Sequence, residues 1–299
     1  MKILSFGSMN IDNTYSVDEF VQPGETMTAK NLSKFCGGKG LNQSIALASA
    51  GADVAHFGCV GEDGDILLDM LKSRGVNTDS VIKIDNITSG HAIIQVDSHG
   101  QNSILLYPGA NRRMTPELID RELEKYSCGD WLLIQNETNC LEYIMRAANK
   151  KGMKIAFNPS PMDGTVSTLP LELVDLFLVN EIEGAAVTGK EITEEITAEF
   201  EKLFPNAAVI LTLGKKGSVF KSEKDMLFQP SYCGTVKDTT GAGDTYTGFF
   251  IANYIKGVSP QECMRIAAMA STVQISRDGA AIAIPTKQEV LDALKNRCR

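Results

Sequence analysis

The chain has 299 residues, of which 43% are apolar and 22% are charged, so it can bury a large core. Its net charge of −8 argues against nucleic acid or an anionic membrane as a partner, because both repel an acidic surface. The N-terminal apolar run is too short for a signal peptide, and no stretch approaches the ~20 apolar residues of a membrane helix. We therefore expect a cytoplasmic protein.

The cysteines and histidines show no pattern typical of a disulfide framework or a zinc site. The seven cysteines are odd in number, scattered, and contain no C-x-x-C pair, which favours reduced thiols. His56, His91 and His99 have no metal or triad spacing, so we interpret them as structural. The cysteines are Cys36, Cys59, Cys128, Cys140, Cys233, Cys263 and Cys298.

Short apolar runs alternate with helical patterns along most of the chain. Because most of these runs are continuously apolar, they suit parallel strands that are covered on both faces. An apolar stripe over Lys39–Ala50 predicts a helix that stops at Gly51, and Ser259 and Thr286 each precede a glutamate by three residues, which is typical of helix starts. The alternation predicts an α/β fold with a doubly wound, mostly parallel sheet flanked by helices. The predicted strands are Lys2–Phe6, Val54–Phe57, Asp130–Gln135, Lys154–Asn158, Leu176–Asn180 and Val209–Leu213.

Two segments, residues 12–36 and 88–107, break this alternation. Their residues alternate in polarity without helix signals, as in His91–Asp97, which a Ser98–Gly100 turn follows. We expect two antiparallel hairpins that pair into a small β-sheet over the C-terminal edge of the main sheet, where open α/β sheets bind ligands. The chain is thus predicted to be one α/β domain over residues 1–299, with these segments inserted as a lid.

Polar side chains follow two of the predicted strands. Asn10 and Asp12 come just after the first strand, and Glu137 follows the strand that ends at Gln135. A carboxylate accepts hydrogen bonds from adjacent hydroxyls and an amide both donates and accepts, so this set suits a polyol. Asn and Asp are also common in turns, and Glu137 alone is equally compatible with a surface position.

A glycine cluster, GGKGLNQ at residues 37–43, opens the helix predicted from Lys39. Gly38 allows the backbone to approach a ligand, while Lys39 and Asn42 share one side of the first turn. Lys39 can pair with an anion, and Asn42 can form hydrogen bonds with hydroxyls. The alternative is a glycine-rich helix entry with solvated polar groups.

Two further motifs follow strands in the second half of the chain. Asn180 and Glu183 form a capping-box pattern, but they can also hold hydrated Mg²⁺ beside nucleotide phosphates, because Mg²⁺ needs few protein ligands. Thr212, Gly214 and Gly217 end another strand, where they can contact a nucleotide or form a plain turn.

One motif is a decoy. Residues 184–190 have the glycine spacing of a P-loop, but Glu191 stands where a serine or threonine should bind magnesium. The segment also lies in a predicted helix rather than after a strand. We therefore reject a P-loop, and no dinucleotide fingerprint follows a strand either.

The most informative motif is DTTGAGDTYTG, residues 238–248, at the start of a predicted helix. The backbone N–H groups of Gly241, Ala242 and Gly243 have no intrahelical partner there and can bind an anion. Asp244 would lie beside that anion and repel it, unless the carboxylate takes a proton from an attacking hydroxyl. The alternative is an ordinary glycine turn with an acidic first helical turn.

Taken together, the motifs resemble those of ribokinase-like sugar kinases over essentially the whole chain. No single motif decides this, but their joint order and spacing are highly specific. The GGKG form, the early Asn-x-Asp and Glu137 are most similar to the ribose-specific members. The matching segments are residues 7–12, 23–26, 37–43, 109–111, 158–159, 180–183 and 238–244.

The resemblance implies ATP-dependent phosphorylation of D-ribose at its 5-hydroxyl, with a fructokinase or another pentose or ketose kinase as the alternative. It makes Asp244 the base and the N–H groups of residues 241–243 the stabilisers of the transferring phosphoryl group. The implied sugar ligands are Asn10, Asp12, Gly38, Lys39, Asn42, Glu137 and Asp244. The implied nucleotide contacts are Asn180, Thr212, Gly214 and Gly217, with Mg²⁺ near Glu183.

Ribokinase-like enzymes also use a monovalent cation beside the anion loop, so the resemblance implies K⁺. Ala283 departs from the family, which often carries a serine at this position. The implied cation ligands are Asp238, the carbonyl of Thr240, and carbonyls around Gln274, Arg277 and Gly279.

The predicted lid has two expected roles, in catalysis and in assembly. If the lid closes over the sugar, it excludes water, which otherwise competes as phosphoryl acceptor. A small sheet that covers a site exposes apolar surface on its other face, which a second copy of the chain can bury. We therefore expect a homodimer through the lid sheets, with a sugar and ATP as the small-molecule partners.

Overall fold

The computed structural model describes residues 1–297, which form thirteen strands and nine α-helices. The strands are β1 (Ile3–Phe6), β2 (Asn10–Ser16), β3 (Asn31–Gly37), β4 (Val54–Val60), β5 (Val81–Lys83), β6 (Gly90–Val96), β7 (Asn102–Tyr107), β8 (Trp131–Gln135), β9 (Lys154–Asn158), β10 (Leu176–Asn180), β11 (Ala208–Thr212), β12 (Gly217–Lys221) and β13 (Met226–Pro230). The helices are α1 (Lys39–Ser49), α2 (Asp65–Ser73), α3 (Pro116–Leu123), α4 (Leu141–Lys150), α5 (Glu181–Thr188), α6 (Thr193–Leu203), α7 (Ala242–Tyr254), α8 (Pro260–Gln274) and α9 (Lys287–Arg297).

A nine-stranded sheet forms the centre of the molecule, in the order β13-β12-β11-β10-β9-β8-β1-β4-β5. The strands from β11 to β5 pair in parallel, whereas β12 is antiparallel to both of its neighbours. The predicted α/β class and all six predicted core strands are confirmed, although β4 continues to Val60. The strands β5, β12 and β13 were not predicted.

Alternate residues of the core strands pack into two different apolar layers. Ile3 and Leu133 lie in the layer built with α1, α2, α7, α8 and α9, whereas Leu4 and Leu132 lie in the layer built with α3, α4 and α6. All four side chains are fully buried. The continuously apolar strand sequences therefore reflect a sheet covered by helices on both faces.

A second sheet of four strands has the order β3-β2-β6-β7. Two antiparallel hairpins, β2–β3 and β6–β7, join through the parallel pair β2–β6. This confirms the small inserted sheet. Because β2 begins only shortly after β1 ends, this sheet starts at the C-terminal edge of the main sheet.

The helix starts that the sequence predicts are confirmed. The Ser259 hydroxyl accepts a hydrogen bond from the N–H of Glu262 at 3.4 Å, one turn into α8. At α9, the Thr286 N–H donates to Glu289 Oε2 at 2.7 Å, and the Glu289 N–H donates to Thr286 Oγ1 at 3.3 Å. These side chains satisfy backbone donors that the first helical turn leaves unpaired.

Among residues 1–297, no helix is both long and apolar enough to cross a bilayer. The six cysteines in this range are free thiols, and Cys298 lies outside the described residues. His56 is fully buried with its Nδ1 2.8 Å from Ser44 Oγ, and burial lowers the pKa of its imidazole to about 4. The ring is therefore a neutral part of the core at physiological pH.

Candidate active site

The C-terminal ends of β9, β10 and β11 and the start of α7 enclose a cleft. It lies at the sheet edge where open α/β folds bind ligands, and it brings together sequence motifs that are up to about 200 residues apart. The polar groups and glycines of its walls are Lys39, Asn158, Ser160, Asn180, Glu183, Thr212, Thr239, Gly241, Gly243, Asp244, Tyr246 and Thr247, and Ala242 lies among them.

The N-terminus of α7 presents backbone donors to this cleft. Gly241 precedes the helix with φ at 78°, a left-handed conformation that favours glycine. The Ala242 N–H donates to the carbonyl of Thr239 at 3.2 Å, whereas the N–H groups of Gly241 and Gly243 have no protein acceptor within residues 1–297. A Cβ added to Gly243 would meet no atom within 4 Å, so open space lies beside it. Two of the three predicted donors are thus free for an anion.

Asp244 is held in place by two amides of α1. Its Oδ2 accepts a hydrogen bond from Asn42 Nδ2 at 3.0 Å, and its Oδ1 accepts one from Gln43 Nε2 at 2.9 Å. The side chain is only 8% exposed. Helices α1 and α7 can approach closely because Gly248 has no side chain. A Cβ at this position would lie only 2.7 Å from the Leu47 nitrogen. The carboxylate therefore has a fixed orientation.

A chain of buried amides extends from Asp244 into the sheet, and the sequence analysis missed it. Gln135 Nε2 donates to Gln43 Oε1 at 2.8 Å, and Gln43 Nε2 also contacts Asn158 Oδ1 at 3.0 Å. Asn158 in turn donates to the carbonyl of Leu178 at 2.8 Å. The sequence feature that could have revealed it is a polar residue at the end of each of two apolar strands, Gln135 on β8 and Asn158 on β9.

The predicted sugar ligands gather beside Asp244, where the small sheet meets the core. Asn10 Oδ1 accepts a hydrogen bond from Asn111 Nδ2 at 2.8 Å, and Asn111 Oδ1 accepts one from the Met9 N–H at 3.0 Å. Asn111, which the sequence analysis did not place in the site, thereby orients Asn10. Asn42 Oδ1 is buried without a hydrogen-bond partner among the described residues, so it is available to a ligand hydroxyl.

Two glycines let α1 pack against the loop that follows β1. Gly38 has φ at 92°, and a Cβ there would lie 3.0 Å from the Asn10 nitrogen. At Gly40 a Cβ would lie 2.5 Å from both the carbonyl carbon of Gly7 and the nitrogen of Ser8. The close approach brings the start of α1 against the backbone of residues 7–10.

Lys39 is the central cation of a cluster of carboxylates. Burial lowers its pKa, but Asp244, Glu137 and Glu183 together raise it above its usual value. Glu137 Oε2 accepts hydrogen bonds from the Lys39 N–H at 3.0 Å and from Ser8 Oγ. Burial nevertheless raises the pKa of Glu137, and burial together with Glu137 raises the pKa of Asp12 to about 6. The site is therefore charged, partly desolvated and electrostatically coupled.

Where the end of β10 lines the cleft, Asn180 and Glu183 form the predicted capping box. The Glu183 N–H donates to Asn180 Oδ1 at 2.9 Å, and the Asn180 N–H donates to Glu183 Oε2 at 3.0 Å. Residues 184–188 of the P-loop-like motif lie in α5, which confirms that this motif is helical. A metal role for Asn180 and Glu183 stays a prediction.

The strand end at Thr212 contributes only part of its predicted set to the cleft. Thr212 lines the cleft, and its hydroxyl donates to the carbonyl of Val179 at 3.3 Å. Gly214 and Gly217 are not among the wall residues. Gly217 has φ at 126°, and a Cβ there would lie 2.8 Å from Pro230 Cα, so the β12–β13 hairpin already requires glycine. Their nucleotide contacts stay predictions.

Hydrogen bonds connect the five residues that were predicted as cation ligands, next to the loop that precedes α7. Asp238 Oδ1 accepts from the Thr240 N–H at 2.8 Å and Oδ2 accepts from the Gly279 N–H at 3.0 Å. Burial raises the pKa of Asp238, but these hydrogen bonds outweigh burial and lower it overall. Gln274 Nε2 donates to the carbonyl oxygens of Thr240, at 2.5 Å, and Gly279, at 3.3 Å. Arg277, which was predicted to contribute its carbonyl, donates its N–H to the carbonyl of Gln274 at 3.0 Å, and its side chain pairs with Glu289 at 2.5 Å.

Comparison with known proteins agrees with this geometry. The pattern of the pfkB family of carbohydrate kinases matches residues 1–287. The chain belongs to this family. It is 33% identical over 298 residues to ribokinase from Haemophilus influenzae, with 97% of each chain covered.

Two solved ribokinases share the fold of this pfkB carbohydrate kinase. The Thermotoga maritima structure superposes with a TM-score of 0.88 at 32% identity and covers 98% of this chain and 99% of that one. The Arabidopsis thaliana structure, complexed with ribose and ATP, has a TM-score of 0.85 at 29% identity and covers 98% of both chains. In this carbohydrate kinase, Asp244 contacts Asn42 of α1 and shares the cleft with Gly241 and Gly243.

Proposed function

We propose that the chain transfers the γ-phosphoryl group of ATP to the 5-hydroxyl of D-ribose. One observation carries this proposal: the buried Asp244 carboxylate contacts the Asn42 amide and shares a cleft with the free N–H groups of Gly241 and Gly243. The ribokinase of Haemophilus influenzae and the ribose and ATP bound to Arabidopsis ribokinase support the choice of substrates.

The sugar would bind between the first strand, α1 and the small sheet. The Asp12 carboxylate accepts hydrogen bonds from two adjacent ring hydroxyls, and the unpartnered Asn42 Oδ1 accepts one more. Lys39 supplies positive charge that partly offsets the effect of burial on the pKa of Glu137. The full set of proposed sugar ligands is Asn10, Asp12, Gly38, Lys39, Asn42, Glu137 and Asp244.

In the reaction, Asp244 accepts the proton of the 5-hydroxyl as this oxygen bonds to the γ-phosphorus. The bond from that phosphorus to the β–γ bridging oxygen breaks, and ADP leaves. The N–H groups of Gly241 and Gly243 stabilise the negative charge of the transferring group, joined by that of Ala242 when it releases Thr239. A positioned base typically contributes ~10²–10⁴-fold.

The residues at the nucleotide end fit a hydrated Mg²⁺. Glu183 is 6% exposed and lines the cleft, and its capping bond uses only Oε2, which leaves Oε1 for a further ligand. Asn180 and Glu183 would hold the ion, mostly through water, because Mg²⁺ needs few protein ligands. When bound, Mg²⁺ neutralises phosphate charge. Thr212, Gly214 and Gly217 would contact the nucleotide.

The small sheet, built from residues 12–36 and 88–107, is proposed as a lid over the sugar. It carries Asp12, so its movement would bring that carboxylate onto the hydroxyls and exclude water. We propose further that two copies of the chain pair through their lids. This rests on the large apolar side chains that the lid exposes, namely Leu32, Phe35, Ile93, Ile104, Leu105, Leu106 and Tyr107.

The proposed function is tested by coupled measurement of ADP release over a panel of ribose, 2-deoxyribose and fructose. Ribose should give the highest kcat/KM, and a higher value for fructose would support the fructokinase alternative. Asp244→Asn should lower kcat by ~10²–10⁴-fold because it removes the base. Asp69→Asn, an exposed change on α2, should leave kcat unchanged. An absence of sugar-dependent ADP release from the unaltered protein would contradict the proposal.

A further inference from the structure

The side chain of Gln274 lies among the groups that were predicted to bind a monovalent cation. It is the last residue of α8, and its side chain is completely buried. Its Nε2 donates to the carbonyl oxygens of Thr240 and Gly279, which lie on two separate loops. Both oxygens belong to the predicted cation ligands, so a protein amide already satisfies them.

The chemistry of the contacts fixes the orientation of this amide. Thr240 and Gly279 both present carbonyl oxygens, which only accept hydrogen bonds, so the NH₂ group of Gln274 must face them. The rotated amide would place Oε1 against the same oxygens and repel them. In the observed orientation Oε1 is buried without a partner among the described residues. The side chain therefore leaves one polar atom unsatisfied while its NH₂ group bridges the loops.

Of the remaining predicted ligands, Asp238 and the carbonyl of Gln274 are also engaged, whereas the carbonyl of Arg277 accepts no hydrogen bond from the described residues. Both carboxylate oxygens of Asp238 accept backbone N–H groups, from Thr240 and Gly279. The carbonyl oxygen of Gln274 accepts the Arg277 N–H at 3.0 Å. Ala283, where the family often has serine, offers no side-chain oxygen. This set of residues does not fit a bound cation as long as the Gln274 amide stays in place.

We propose that the Gln274 amide replaces the monovalent cation, so that this enzyme is active without K⁺. The amide ties the loop of residues 238–241 to the loop at Gly279, and the first of these loops leads into the N–H groups of Gly241 and Gly243. Gln274 is thus a positioning residue for the phosphoryl site. The inference rests on the proposed kinase function and concerns how its anion loop is held.

The first test uses the unaltered protein. ADP release with ribose is measured with Tris-ATP in tetramethylammonium chloride and again in KCl at equal ionic strength, and the melting temperature is recorded in both salts. We expect neither quantity to change appreciably. Activation by K⁺ of about tenfold, with a higher melting temperature in K⁺, would overturn the proposal. A bound cation that orders the loop can raise the rate by this factor through positioning alone.

The second test opens the site. Gln274→Ala frees the oxygens of Thr240 and Gly279, so it should lower activity in tetramethylammonium by about tenfold or more, and K⁺ should restore most of the loss. K⁺ should also raise the melting temperature of this variant but not that of the unaltered protein. Adding Ala283→Ser should lower the K⁺ concentration needed. Gln288→Ala, an exposed glutamine of α9 that donates to Asp292, is the matched control without K⁺ response.

The outcomes separate the two proposals. If the unaltered protein releases no ADP in either salt, the kinase function fails, while the melting temperatures still report whether K⁺ binds. If it is active but depends on K⁺, the kinase function stands and the role of Gln274 fails. If Gln274→Ala loses activity and K⁺ restores none of it, the amide does not replace a cation.

Discussion

Asp12 illustrates how the environment of one residue sets a pH dependence. Burial and the nearby Glu137 raise its pKa to about 6, so the carboxylate form is lost as the pH falls through that value. The ionised form accepts with both oxygens and so suits two sugar hydroxyls, whereas protonation converts one oxygen into a donor. We expect the KM for ribose to rise by about tenfold between pH 7 and pH 5, where a group with this pKa becomes mostly protonated, while kcat changes less. Steady-state kinetics over this range measures both.

The variant Asp12→Asn is the control for this prediction. Its KM for ribose should be high at every pH and should no longer rise between pH 7 and pH 5. Since the folded-state pKa lies above the unfolded value, the stability contributed by Asp12 is complete at low pH and is lost as the pH rises through about 6. The variant without ligand should therefore melt at a higher temperature than the unaltered protein at pH 8. A KM that stays flat in the unaltered protein would contradict the assignment of Asp12.

Gln43 gives a second prediction at the scale of single residues. Its amide donates to Asp244 and Asn158 and accepts from Gln135, so it orients the proposed base from behind. Gln43→Glu keeps the shape and the acceptor for Gln135, but it places a carboxylate against Asp244, and two such groups do not both ionise readily. The acid limb of the kcat–pH profile should move about one unit or more to higher pH.

The control for Gln43 is Gln101→Glu, an exposed change in the turn between β6 and β7. It should leave the kcat–pH profile unmoved. A Gln43→Glu enzyme with lower kcat at every pH but an unchanged profile would indicate a purely structural role for Gln43.

At the scale of elements, the sequence predicts the core better than its edges. The strands β1, β8 and β10 are almost entirely apolar because helices cover both faces, and their sequences predict them directly. The edge strands β5 and β13 are short and only partly buried, so their apolar runs are too short to predict a strand. A run of apolar residues predicts a buried strand, and these edge strands are only partly buried.

The sequence also predicts the local motifs of the site better than the contacts between them. The glycine loop before α7 and the residues around Gly38 were predicted because each motif is local in sequence. The hydrogen bond from Gln43 to Asp244 joins residues 201 positions apart, and that from Gln274 to Thr240 joins residues 34 positions apart. Such pairings depend on how α1, α7 and α8 pack, which no spacing in the sequence specifies.

The position of α1 depends on Gly40. A Cβ at this residue would overlap the backbone of Gly7 and Ser8, so Gly40→Ala should push α1 away from β1 and carry Asn42 and Gln43 with it. Overpacking of this kind costs about 1–3 kcal/mol. We expect a lower melting temperature and a kcat that falls together with a rising KM. Gly164→Ala, where a Cβ would meet no atom within 4 Å, is the matched control and should leave both quantities unchanged.

At the scale of the whole molecule, the lid is the least self-contained part of the structure. Strand β7 is exposed along its entire length, and it presents Ile104 and Leu105 to solvent on opposite faces of the sheet. An exposed apolar edge strand can pair with another chain unless a partner covers it. We therefore expect the protein to be a dimer in which the lids cover one another.

Substituting both residues tests this arrangement. In Ile104→Asp/Leu105→Asp, two charges would be buried without partners in the lid interface, so the dimer should dissociate at concentrations where the unaltered protein stays dimeric. Sedimentation velocity measures the change, and an unaltered melting temperature of the separated chains would show that the fold survives. Ile192→Asp changes an equally exposed isoleucine just before α6 and should leave the dimer intact. If the unaltered chain sediments as a monomer at all concentrations, the predicted dimer through the lids is wrong.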